Sequence, residues 1–166
     1  MPQYLLRINK RKWDKLDVPW LQAHEIQADP LGDLRINEGT LSVWYIEDDR
    51  SNLDPIITGL VATRQKFDKF EYGLFDQAVI DTADVRVEIT QGNIPIESAN
   101  SWHRDLIHLT LDRASNFVKT LFNAIEKKRL LDDEVKKRIV DAVTNGNINL
   151  QQVNTSLRKK IIQLIA

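Results

Sequence analysis

The chain contains no cysteine. That excludes a disulfide framework, a thiolate zinc site and a cysteine nucleophile, and it agrees with a reducing compartment. Glycine and proline number only 6 and 5 among 166 residues, too few for long flexible linkers. Long apolar runs are also missing: no window approaches the roughly 18 residues of a membrane span. The first apolar run, Tyr4-Leu5-Leu6, is shorter than a signal-peptide core, and charges follow it. The sequence therefore predicts a soluble, unprocessed, cytoplasmic protein without a membrane partner. A phosphate-binding glycine loop, a nucleophile elbow, a metal-ligand cluster and an internal repeat are all absent from the sequence. No cofactor, metal or small-molecule ligand is predicted, and no family is recognised from the chain as a whole.

What is present is an ordinary globular composition with an uneven charge. Residues 1–116 carry 13 Lys/Arg and 19 Asp/Glu, a net −6, whereas residues 117–166 carry 10 and 5, a net +5. Such asymmetry suits an acidic body with a basic appendage that meets a partner. The length suits one domain with its own core, or a domain plus a small appendage.

Hydrophobic periodicity gives the elements. Tyr4, Leu6 and Ile8 alternate with Leu5, Arg7 and Asn9, a first strand. Lys10, Arg11, Lys12 and Lys15 surround Trp13. They read either as a backbone grip with a stacking aromatic, or as a charged strand end with Trp13 folded onto the core. Leu34–Ile36, Asn37-Glu38-Gly39 and Thr40–Ile46 predict a β-hairpin. Ser51, Asp54 and Pro55 mark a helix start, with an apolar stripe of Ile56, Leu60, Phe67 and Phe70 predicting a helix from Pro55 to Phe70. Leu74–Ile80 and Val85–Thr90 read as two further strands. Ser98–Arg129 reads as one long central helix, because Ile107, Leu111, Ala114, Val118, Phe122 and Ile125 recur at helical spacing. Asp132-Asp133-Glu134 opens another helix with Val135, Ile139, Ala142 and Val143 on one face, and Asn145-Gly146 stops it. Leu150, Val153, Leu157, Ile161 and Leu164 form the stripe of a last helix. The sequence thus predicts an α+β fold with a mainly antiparallel sheet packed on a long central helix, followed by a C-terminal helical hairpin. The expected division is a body over residues 1–130 and a basic hairpin over 131–166, packed on the body or extending from it.

Three constellations carry functional hypotheses. The stripe Leu150, Val153, Leu157, Ile161 and Leu164 suits a non-enzymatic interaction or regulatory protein that contacts a partner, or a second copy of itself, through its C-terminal helices. Alternatively, Lys136, Lys137, Arg138, Arg158, Lys159 and Lys160 on the same helices suit nucleic-acid binding. Third is a metal-dependent nuclease or an RNase. On a helix Arg104, His108 and Asp112 would form a one-turn column able to do acid–base work. Arg104, Asp105 and His108 resemble the Arg…His motif of HEPN-type ribonucleases, with a shorter spacing than that family's. The resemblance implies a helical bundle and an RNase activity. Asp76 and Glu88 resemble the paired carboxylates of restriction-type nucleases, but Thr90 stands where those enzymes have lysine. Glu47-Asp48-Asp49 is a further acidic group able to attract Mg²⁺, or to sit at the favourable end of the helix that follows. Nothing in the sequence commits the chain to catalysis.

Overall fold

The computed structural model describes all 166 residues. Six strands are present: β1 (Gln3–Arg7), β2 (Leu41–Ile46), β3 (Phe70–Asp76), β4 (Arg86–Ile89), β5 (His103–Ile107) and β6 (Glu126–Leu130). They form one sheet in the order β4-β5-β2-β1-β3-β6, with every neighbouring pair antiparallel. The helices are α1 (Asp29–Asp33), α2 (Leu53–Ala62), α3 (Gln77–Thr82), α4 (Leu111–Ala124), α5 (Asp132–Thr144) and α6 (Thr155–Ile165). The α+β class, the antiparallel sheet and the C-terminal helix pair are as the sequence predicts.

The alternation of β1 feeds two cores. Tyr4, Leu6 and Ile8 join Phe75, Val79, Phe117, Val118 and Leu121, so α3 and α4 cover one face of the sheet. Leu5 joins Ile56, Val61, Phe70, Leu74, Val135, Ile139 and Leu157, so α2, α5 and α6 cover the other. Burying one such Phe or Leu stabilises the fold by about 1.5–3 kcal/mol. The strand β3 lies between both cores and is buried along nearly its whole length.

Several boundaries differ from expectation. The helix expected over Ser98–Arg129 is confined to α4. Residues Glu97–Trp102 form a 3-10 turn, and the flanks are the strands β5 and β6. Leu106 and Leu109 reach the core from an extended strand and its exit, a spacing that mimics a helical stripe. His108 adopts a left-handed conformation (φ 58°) that breaks the chain before α4. Thr110 then caps that helix, its hydroxyl accepting from the Arg113 N–H. The expected hairpin shrinks to an isolated bridge between Asn37 and Thr40. Leu34 packs into the α4-side core, and β2 pairs with β1 and β5. The helix expected to Phe70 stops at Ala62, and Phe70 opens β3. The apolar run Leu74–Ile80 is divided between the end of β3 and α3.

The helix α5 keeps its expected stripe, whereas the last helix begins later than expected. Leu150 lies in a 3-10 turn (Leu150–Gln152) and Val153 between that turn and α6, so only Leu157, Ile161 and Leu164 of the stripe are on the helix. Val135, Ile139 and Ala142 are buried, and Gly146 (φ 75°) supplies the left-handed stop after α5. The side chain of Asn154 caps α6.

Candidate anion-binding site

The residues singled out from the sequence are dispersed. Arg104 lies on β5, its guanidinium 5.5 Å from the centre of the Tyr45 ring and donating to the carbonyls of Ser101 and His103. His108 occupies the exposed β5–α4 connection, and Asp112 the exposed first turn of α4. A strand, a loop and a helix cannot stack these three as a one-turn column, so the column does not form. The helical bundle implied by the ribonuclease resemblance is replaced by a sheet. Asp76 and Glu88 sit on β3 and β4, four strand spacings apart, which is about 19 Å. Glu47 accepts from the Ser51 hydroxyl, Asp48 pairs with the N-terminal ammonium, and Asp49 accepts from the Ser51 N–H. No group of three or more His, Asp or Glu side chains is arranged to hold a metal ion.

In the C-terminal pair, Val153, Leu157 and Ile161 are buried in the core shared with Leu5 and Phe70. Leu150 is half-buried, and Leu164 remains 46% exposed. Arg138 is tied to Asp54 and Thr58 on α2. Arg158 donates to the carbonyls of Gln151 and Val153. Lys136 is half-buried, whereas Lys137, Lys159 and Lys160 stay open to water. Three of the five stripe residues and two of the six cations therefore hold the chain together. Trp13 likewise is a core residue, 1% exposed, its ring stacked on Phe122 and its Nε1–H donating to Asp33.

A different cluster gathers where β1 ends and β3 begins. A cleft of about 350 Å³ is lined by Arg7 at the end of β1, Lys12 from the turn that follows, and Arg35 from the segment after α1. Arg64 beyond α2 and Lys69 before β3 complete its cationic lining. A second cleft of about 280 Å³ adjoins it, sharing Arg7, Arg64 and Asp68 and adding Lys66. Six cations thus face these clefts against three carboxylates, Asp33, Asp68 and Glu71.

Each carboxylate is already engaged. Asp68 is held by the Arg64 guanidinium at 2.5 Å. Asp33 accepts from the Asn9 N–H and from Trp13, with Lys12 at 3.9 Å. Glu71, only 6% exposed, accepts from the Lys10 N–H and the Arg129 guanidinium, with Lys69 at 3.8 Å. Arg7 and Arg35 have no carboxylate within ion-pair distance. Partial burial of the Arg7 guanidinium, and after it the like charges of Arg35 and Arg64, push its pKa below the ordinary arginine value. The side chain nevertheless keeps access to water. An anion entering the cleft would relieve this repulsion and accept from guanidinium forks shaped for oxyanions.

No local pattern announces this cleft, because Arg7, Arg35 and Arg64 are far apart in the chain. The signal at hand was the basic run Lys10-Arg11-Lys12, which borders it. Comparison of the chain with family models, with curated proteins and with solved structures finds no match in any of the three.

Proposed function

We propose that the protein binds a phosphate-bearing polyanion, a single-stranded nucleic acid, through the clefts around Arg7, Arg35 and Arg64. The observation that carries this reading is that Arg7 and Arg35 face one concavity without a carboxylate partner. Two features of the chain that follows β1 extend it. Lys10, Arg11 and Lys12 prolong the positive charge along the adjacent turn. Trp20, 69% exposed, lies in the loop that follows, where an open aromatic face can stack on a base. No catalytic step is part of this reading.

The test is a titration of a fluorescent single-stranded oligonucleotide at several salt concentrations. Binding should weaken steeply with salt. Replacing Arg7 and Arg35 by Glu should lower affinity at least tenfold and flatten the log–log salt slope by about 1.4, roughly 0.7 per lost phosphate contact. Replacing Lys159 and Lys160 by Glu on α6 should change little. Loss of binding in the α6 variant alone would transfer the site to the C-terminal helices. No binding even at low salt would sink the proposal.

A second reading keeps contact with a protein partner at the end of α6. It rests on Ile162, Leu164 and Ile165, each nearly half exposed at 46–48%.

A further inference from the structure

The two outer strands of the sheet are treated differently. The strand β6 carries Lys127, Lys128 and Arg129 in succession, so two copies of it placed edge to edge would oppose like charges. The preceding 3-10 turn (Lys10–Trp13) also folds against it, with Lys127 Nζ donating to the Trp13 carbonyl. The strand β4, Arg86-Val87-Glu88-Ile89, has no such protection. It pairs with β5 on one side and with no strand on the other. It contains no lysine or proline, and Ile89 is 76% exposed.

The charges of β4 are unpaired within the chain. Neither Arg86 nor Glu88 takes part in any ion pair. Glu88 stands directly opposite Asp105 on β5, a juxtaposition of like charge, and Arg86 stands opposite Ile107. The hydrogen-bond phase of the pair is fixed at its end, where the Thr90 N–H donates to the His103 carbonyl. Antiparallel pairs alternate between bonded and non-bonded positions. The backbone groups of Arg86 and Glu88 therefore point toward β5, and those of Val87 and Ile89 point outward.

We infer that β4 is the interface of a homodimer, in which two copies of the strand pair antiparallel about a two-fold axis at Val87. The arrangement is self-complementary in three respects. With Val87 opposite Val87 of the second copy, the outward N–H and C=O of each close a hydrogen-bonded pair. Arg86 then falls opposite Glu88 of the other copy in the non-bonded positions on either side, where opposing side chains approach most closely. Two ion pairs form across the axis, and each Glu88 gains the cation it lacks. Ile89 falls at the level of Val85 of the other copy on the same face as Val87, which covers part of its apolar surface. Val85 stands just before the strand with its N–H donating to the Ile80 carbonyl, so the cross-strand hydrogen bonds centre on Val87. The six-stranded sheet becomes a continuous twelve-stranded one.

Sedimentation analysis of the full chain tests this. The unsubstituted protein should be in monomer–dimer equilibrium. Glu88→Arg alone, and Arg86→Glu alone, should each raise the dimer dissociation constant by roughly ten- to a hundredfold, because both replace two attractive cross-strand pairs by two repulsive ones. The double variant R86E/E88R restores opposite charges at every position and should dimerise like the original. Circular dichroism of each variant checks the fold, which these exposed side chains should not disturb. A monomer at concentrations up to about 1 mM would overturn the proposal. So would a dimer that survives Glu88→Arg, or a double variant no better than either single one.

Discussion

His103 and Asn100 show how single side chains fasten the segment between β4 and β5. The His103 ring stands edge-on to Trp44 with centroids 4.9 Å apart, and its Nδ1 lies 2.7 Å from the Thr90 hydroxyl. Burial pushes its pKa down, opposed by Asp105, whose carboxylate is 3.9 Å from Nε2, and assisted by the charge of Arg104. A histidine whose folded pKa is depressed binds more protons when unfolded, so stability rises with pH across the interval between the two values. The His103 contribution is complete above about pH 6.5 and declines as pH falls from there through the folded value. Asp14, held by Lys127, and Glu126, held by Lys128, have depressed carboxyl pKa values and act at lower pH. Urea unfolding at pH 7.5 and 5.5 should therefore give a lower midpoint at the acidic value, and His103→Gln should shrink the difference; an unchanged difference refutes the assignment. Asn100 works without charge. Its side chain accepts from the Ile94 N–H and donates to the Ile94 carbonyl, both buried. Ile94 in turn packs so closely on α2 that a Cβ at Gly59 would lie 2.4 Å from its Cδ1. Asn100→Leu leaves two buried backbone groups unpaired and should cost about 2–4 kcal/mol, read as a drop in the urea midpoint.

Among elements, those with one dominant period were legible in the sequence and those facing two cores were not. The stripes of α5 and α6 belong to helices with one wet side. The sequence places α5, and it places α6 except at its start, where Leu150 and Val153 continue the helical spacing through a 3-10 turn. It also places β1, by an alternation whose odd and even residues fill different cores. The strand β3 is buried on both faces, so its residues Phe70–Asp76 carry no alternation to read. Gly73 looks like a helix stop, yet it clears space inside the sheet: a Cβ there would meet Ile125 Cδ1 at 2.1 Å. The strand β6, Glu126-Lys127-Lys128-Arg129-Leu130, is hidden for the opposite reason. As a charged edge it has almost no apolar residue, and it follows α4 so directly that it reads as that helix's basic end. The strand β5 falls between these cases, because the spacing of Trp102, Leu106 and Leu109 satisfies a helical stripe as readily as a strand and its exit. The candidate site was legible only at its margin. Its cations come from a strand end, an irregular segment and two loops, and the sheet register brings them together.

At the scale of the molecule, residues of the basic C-terminal helices and of the acidic first part of the chain fill one core. The pair α5 and α6 lies on the sheet, and Arg138 of α5 reaches back to an acid of the first half. Arg138 bonds Asp54, while Arg50 from the first half pairs with Glu126. Leu157 and Ile161, fully buried, share one core with Leu5, Ile46 and Phe70 from β1, β2 and β3. With that packing, α6 cannot be weakened without weakening the sheet. Leu157→Ala should cost about 2–5 kcal/mol, and the whole chain should still unfold in one transition. An appendage would behave otherwise: the body would keep its melting temperature and a separate early transition would appear. The exposed side of α6 gives the contrast. Ile162 and Ile165 are each nearly half exposed and belong to neither core, so replacing both by Glu should change stability by only about 0.5 kcal/mol per site. The same variant should leave a dimer formed through β4 intact. If it abolishes self-association while the charge-swapped β4 variants retain it, the end of α6 is the contact surface, and the second functional reading gains what the β4 proposal loses.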